Sequence, residues 1–167
     1  MTVSELIRTK RAVRQFTDEP LPEEAICSIL NAGRRAQSSK NMQPWHFIAI
    51  RDRASLRQLA ECGAYAGHLA GASLAVALVS STADAFDLGQ AAAYMQLAAW
   101  DLGIGSCIAS MWEPDKAKAI LGVPEDLHFD VAISFGYPLP SREQSSAPKP
   151  NGRKTFDEVV FWERWSG

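Results

Sequence analysis

The chain has 167 residues, of which 47% are apolar and 22% charged, with a formal net charge of −2 at neutral pH. That length suits one domain able to bury about two-thirds of its unfolded surface, and the composition excludes a disordered chain or a coiled coil. Acidic and basic residues are interleaved, which argues against nucleic acid or anionic lipid as a partner and makes any role for positive charge a local one.

Cys27, Cys62 and Cys107 are odd in number and form no CxxC pair, which predicts buried thiols in a reducing compartment and neither a disulfide framework nor a zinc site. His46, His68 and His128 stand apart from one another and from carboxylates at ligand spacing, so no metal site is expected. The N-terminus carries Glu5 and only a short apolar run, and the longest nearly uncharged stretch, residues 89–100, is too short for a bilayer. A cytoplasmic protein is expected.

Residues 3–10 form a short helix in this reading, capped by Thr2 or Ser4, with Leu6 and Ile7 facing inward. The helix feeds into Lys10, Arg11 and Arg14. Three cations in five residues are either a solvated face at a helix C-terminus or a phosphate grip, since guanidinium groups chelate phosphate in bidentate fashion. Pro22, Glu23 and Glu24 then open a helix to about Arg35 that buries Ile26, Ile29 and Leu30.

Residues 37–50 (QSSKNMQPWHFIAI) change character at Pro44. The first half is an amide- and hydroxyl-rich loop, the second an aromatic and β-branched strand. Such a loop on a strand end is either a capped turn or a reader of a planar, polar ligand. A helix built on Leu56 and Leu59 follows, then an ambiguous stretch at residues 64–70 in which His68 reads as surface or loop polarity, then a doubly buried strand at residues 74–79.

Residues 84–102 make the longest helix, whose middle is small and apolar nearly all round, as expected of a central core helix or of one that packs against a second subunit. Gly103 and Gly105 end it and launch a strand over residues 106–111. This GxG lacks the third glycine of a dinucleotide fingerprint and follows a helix where the fingerprint follows a strand, so a Rossmann site is rejected. A short helix opens at Pro114, residues 129–135 are the last core strand, and residues 139–152 are a Pro- and Ser-rich surface excursion. The tail carries Phe156, Val159, Val160, Phe161, Trp162 and Trp165, too apolar for solvent, and is expected to dock on this subunit or its twin. The whole predicts one α+β domain over residues 1–167, with about four strands among about five helices.

Five blocks, in order, resemble the nitroreductase family. KRAVRQF at residues 10–16 is similar to the family's RRSxRxF, and SSKNMQPW at residues 38–45 to its SxxNxQPW. DLGIGSC at residues 101–107 resembles the family's glycine-rich approach to the flavin strand. LGVP at residues 121–124, with GYP at 136–138, resembles LGxP…GxP, and Arg153-Lys154 before FDEVV resembles the closing RKPLEEVV.

The resemblance implies a mostly antiparallel central sheet flanked by helices, a C-terminal tail docked on the partner subunit, and a homodimer holding flavin mononucleotide (FMN) at its interface. It implies a phosphate held by Lys10, Arg11 and Arg153 beside the Ala12 backbone, with Arg14 near the flavin N1 and C2 carbonyl. Ser38, Ser39 and Asn41, from the partner, would line the ring and ribityl chain; Gln43 would reach a polar edge, and the Ala109 and Ser110 backbone would face N5. The implied activity passes hydride from NADH or NADPH through the flavin to a nitroaromatic, quinone or similar small acceptor, with no side chain as nucleophile and no catalytic residue named. A flavin-storing or regulatory protein, and a dedicated FMN oxidase or dehydrogenase that needs no nicotinamide, are the alternatives.

Four departures from the family pattern stand out. Ala12 replaces the usual serine, and of residues 64–68 only His68 could stand in for a lysine that larger members place near the ring. Ser110-Met111 replaces a glycine-rich pair, and the few residues between Val79 and the long helix leave no room for a lid.

Overall fold

A computed structural model describes residues 1–83, 85–140 and 152–165. Five helices and four strands are seen among them: α1 Val3–Thr9, α2 Glu23–Arg34, β1 Trp45–Ile50, α3 Arg53–Ala60, β2 Leu74–Ser80, α4 Ala85–Asp101, β3 Gly105–Ser110, α5 Pro114–Leu121 and β4 His128–Gly136. The sheet order is β1-β2-β4-β3, and every ladder is antiparallel. The proposed excursion at residues 139–152 lies mostly outside the described residues.

β2 and β4 occupy the two central positions, and β2 is buried along its whole length, which explains its continuous apolar run. One face of the sheet packs on α3 and α5 through Leu56, Leu59, Ala117 and Phe129. The other packs on α2 and α4 through Ile29, Met95, Ile133 and Phe135. α1 departs from expectation. Thr2 and Glu5 form its capping box, yet it buries no residue, and Ile7, expected inward, is 63% exposed. A seven-residue helix has too little apolar stripe to turn two faces inward, and here only Leu6 and Thr9 are partly covered. α4 resolves as half core and half surface: Ala91, Ala92, Met95 and Ala99 are buried, whereas Ala93 and Tyr94 face out.

The arm after α1 is laid along the β3 edge by two glycines. Gly105 and Gly136 are opposite one another in the β3–β4 ladder. A Cβ on Gly105 would stand 2.6 Å from the Val13 Cβ, and one on Gly136 would stand 2.8 Å from the Phe16 ring. Both side chains are buried because both glycines leave room for them. Gly105→Ala is therefore expected to push Val13 off the sheet and cost about 1–3 kcal/mol, as overpacking does, read as a lower urea midpoint at unchanged slope.

Candidate functional site

The segment from Lys10 to Phe16 runs along the edge of β3 without a regular alternation of its side chains. Val13 and Phe16 turn inward, and the Val13 amide donates to the Ser106 carbonyl at 2.9 Å while Ala12 bridges Ser106 in parallel register. Lys10 is half-buried, and that burial lowers its pKa below the ordinary lysine value. Arg14 is exposed, yet its charge reaches both Cys107 and His68; Lys10 also acts on Cys107, whose thiol is nonetheless pushed up by burial. Arg11 takes another course. Its Nη1 donates to the carbonyls of Arg8 at 2.9 Å and Lys10 at 3.0 Å, so the guanidinium closes the C-terminal end of α1. Three ion pairs occur among the described residues, and none involves Lys10, Arg11, Arg14 or Arg153. Arg153 is exposed in the C-terminal segment.

The amide-rich loop is strained. Lys40, Asn41 and Gln43 have φ of 49°, 55° and 47°, a left-handed conformation that costs a non-glycine residue about 1 kcal/mol or more. Side-chain bonds hold it there. Ser38 Oγ accepts from the Gln43 amide at 2.9 Å, Asp87 Oδ2 accepts from the Ser39 amide at 3.1 Å, and Gln37 Nε2 donates to Gln90 Oε1 at 2.7 Å. Asn41 and Gln43 remain exposed, and Gln43 borders a cleft of about 460 Å³ lined also by Leu30, Arg34, Trp45 and Phe47. Trp45 and Phe47, side by side on one face of β1, stack at 6.3 Å and line it.

α4 carries both halves of the expected site. Asp87 anchors the loop, and Gln96 Nε2 donates to Ser106 Oγ in β3 at 3.2 Å, beside the arm. Nine residues of helix separate these anchors, about 14 Å. Among the described residues no hydrogen bond or ion pair joins the loop to the arm. At the far end of β3, Ala109 is buried and Ser110 exposed.

His68 corrects the sequence reading: it is buried, in a 3-10 turn over Gly67–Leu69, with Nδ1 2.8 Å from Ser134 Oγ. Polarity alone suggested a surface position; what buries it is the turn's packing on β4, a tertiary fact. Cys27 is the opposite case, an exposed thiol expected to be buried, whereas Cys62 and Cys107 are inside. A further feature was not singled out in the sequence. Tyr65 and Trp112, 82% and 66% exposed, meet edge to face at 6.1 Å where the Trp112 amide donates to the Cys62 carbonyl. No helix of the described residues is long and apolar enough to cross a membrane, and no group of three or more metal-ligating side chains gathers among them.

The nitroreductase family model matches residues 7–66 and 70–137. The chain belongs to the nitroreductase family. An Archaeoglobus fulgidus protein provisionally named NADH dehydrogenase/NAD(P)H nitroreductase is 33% identical over 150 residues, covering 83% of this chain and 86% of its own. A crystal structure from Parabacteroides distasonis with the same provisional name has 25% identity and a TM-score of 0.86, covering 97% of this chain and 98% of its own. The FMN-dependent nitroreductase of Clostridium difficile, at 24% identity, shares the fold with a TM-score of 0.83 over 96% of this chain and 98% of its own. In this nitroreductase-family chain the matched span holds the arm, the loop and the glycine-launched strand β3; Arg153 lies beyond it.

Burial holds the His68 pKa below its ordinary value, and the Arg14 charge adds to the effect. The unfolded state then binds the proton more readily, so stability falls as pH drops below the unfolded value of about 6.5 and levels off once the folded ring titrates. In FMN-free protein, His68→Gln is expected to flatten that decline, measured as urea midpoints between pH 5 and 8.

Proposed function

We propose that this chain is an FMN-dependent oxidoreductase that moves hydride from NADH or NADPH to a small electron-poor acceptor, such as a nitroaromatic or a quinone, in alternating half-reactions. The observation that supports it most is the half-buried Lys10, which with Arg11 and Arg14 lines one short arm without any carboxylate partner among the described residues. A desolvated cation with no counter-charge is unfavourable unless an anion joins it. A phosphate monoester fits that requirement, and the exposed amides of Asn41 and Gln43 on a strained loop fit a planar polar ring.

When bound, FMN supplies the centre that accepts and returns hydride. The residues of this chain would bind and tune it. Lys10 and Arg153 would hold the phosphate, joined by Arg11 if it releases the α1 carbonyls; Ala12 offers only its backbone. Arg14 would face the N1 and C2 carbonyl edge, where preorganised positive charge stabilises the electron-rich state. The Ala109 and Ser110 backbone would face N5. No side chain is assigned as nucleophile or general acid. The short link between β2 and α4, residues 81–84, leaves the ring face open, so discrimination between acceptors is modest.

Ser38, Ser39, Asn41 and Gln43 would come from the partner of a homodimer; within one protomer the loop is fastened at Asp87 and β3 at Gln96, about 14 Å apart along α4. Surface left bare in the single chain supports the dimer: Val3 and Ile7 on α1, Tyr94 on α4, and Phe156, Val159 and Trp162 in the tail are all exposed. We place the tail on the partner.

The reading is tested by the visible spectrum of the purified protein. A yellow protein that bleaches within seconds of anaerobic mixing with NADH or NADPH is expected. A protein that stays colourless with added FMN overturns the reading, and a yellow one that neither nicotinamide bleaches makes it a binder and not an enzyme. Lys10→Ala or Arg153→Ala should weaken FMN binding about tenfold or more, the loss of one charge-assisted contact, by fluorescence titration. Arg14→Ala should retain FMN and lower its midpoint potential; an unchanged potential would remove Arg14 from the N1 edge.

A further inference from the structure

Two loops meet at the end of β3 and raise an aromatic corner there. Gly63, in the loop after α3, lies so near Ser110 that a Cβ on it would collide with the Ser110 carbonyl oxygen. Beside that contact the Cys62 carbonyl accepts from the amides of Trp112 at 2.7 Å and Glu113 at 3.0 Å. The loops are fastened backbone to backbone. Each is also rooted in the core: Cys62 and Ala66 are fully buried in the first, and Met111, buried in the second, donates its amide to the Asp130 carbonyl at 2.9 Å.

Tyr65 and Trp112 stand on this base and turn outward, although Ala66 and Met111 beside them in sequence are buried. Their ring planes meet at 79° with centroids 6.1 Å apart, which makes a corner of two nearly perpendicular aromatic walls. A planar ring laid flat on one wall brings its edge to the other. Tyr and Trp supply such contact area at small entropic cost, because two torsions place each ring. Their faces carry the negative part of the ring quadrupole, so the ring that stacks best on them is one depleted of electrons. Trp112 presents a fused two-ring face, which a fused two-ring ligand covers more fully than a single ring does.

The place of the corner gives it a role. Trp112 follows Ser110 by two residues, at most about 7 Å of backbone, and Gly63 packs on Ser110 directly. We propose, resting on the FMN reading in which the Ser110 backbone faces N5, that Tyr65 and Trp112 form the acceptor platform: they stack a flat, electron-poor ring, of the fused quinone or nitroaromatic class, beside the reacting edge. The bare surface given above to the partner lies on α1, α4 and the tail and does not include these two rings. With no lid over the ring face, the pair is what favours flat acceptors over others.

The acceptor half-reaction is isolated by reducing the FMN-loaded protein with stoichiometric dithionite and following its reoxidation by stopped flow. The second-order rate constant with menadione, a neutral fused-ring quinone, should fall about tenfold in Trp112→Ala, the effect of one lost aromatic stack. With ferricyanide, which has no ring to stack, the fall should be several times smaller. Tyr65→Ala should repeat the selective loss, and Trp112→Phe should recover most of the menadione rate. Equal falls with menadione and ferricyanide, or no fall with either, overturn the proposal and leave the FMN reading standing. A Trp112→Ala protein that dissociates at concentrations where wild type remains a dimer also overturns it, because the pair is then an interface between copies of the chain. A protein that takes up no FMN overturns both.

Discussion

The packing of Val13 and Phe16 into the space left by Gly105 and Gly136 is the contact on which the rest of the site depends. It holds the arm on the outer edge of β3, and with Val13 and Phe16 fixed inward the residues around them are left facing outward. With Val13 held inward, the Arg14 charge reaches Cys107 and His68 while Lys10 is left half-buried with no acid to meet it among the described residues. The unmet charge is thus a product of apolar packing: two missing Cβ atoms bring a side chain onto the sheet, and the cations on either side of it follow.

α4 is the second organiser, and it works by length. Asp87 near one end fastens a loop held in left-handed conformation, and Gln96 two and a half turns on fastens the strand beside the arm. The helix sets these two anchors about 14 Å apart within one protomer. The outward side of the same helix, the apolar positions of α1 and the aromatic tail remain uncovered in the single chain. The division of labour proposed above, cations from one subunit and loop amides from the other, meets both constraints together. His68 lies buried behind β3, where burial and the Arg14 charge hold its ring below its ordinary pKa.

Much of the fold was legible because the signals are local. The run at β2 is apolar at every position because both faces are covered; Pro44 ends a polar loop and starts β1; Gly103 and Gly105 separate α4 from β3. The resemblance of five ordered blocks also led to the family. What stayed hidden was set by contacts between distant segments. Arg11 has the same composition signal as Lys10, yet its guanidinium turns back on α1. His68 looks like any polar loop residue until β4 covers it, and Ile7 looks buried by periodicity until a seven-residue helix proves too short to hide it.

By itself the sequence determined the number and kind of elements, the amide-rich loop before Trp45 and the cation-bearing arm, since turn chemistry, side-chain volume and periodicity act over a few neighbouring residues. Only the tertiary structure decided which cations lack a counter-charge among the described residues, that the loop is in a left-handed conformation anchored on α4, and that one imidazole nitrogen is buried without a hydrogen-bond partner among them. Desolvation and pairing depend on what packs from elsewhere in the chain, and no local pattern carries that information.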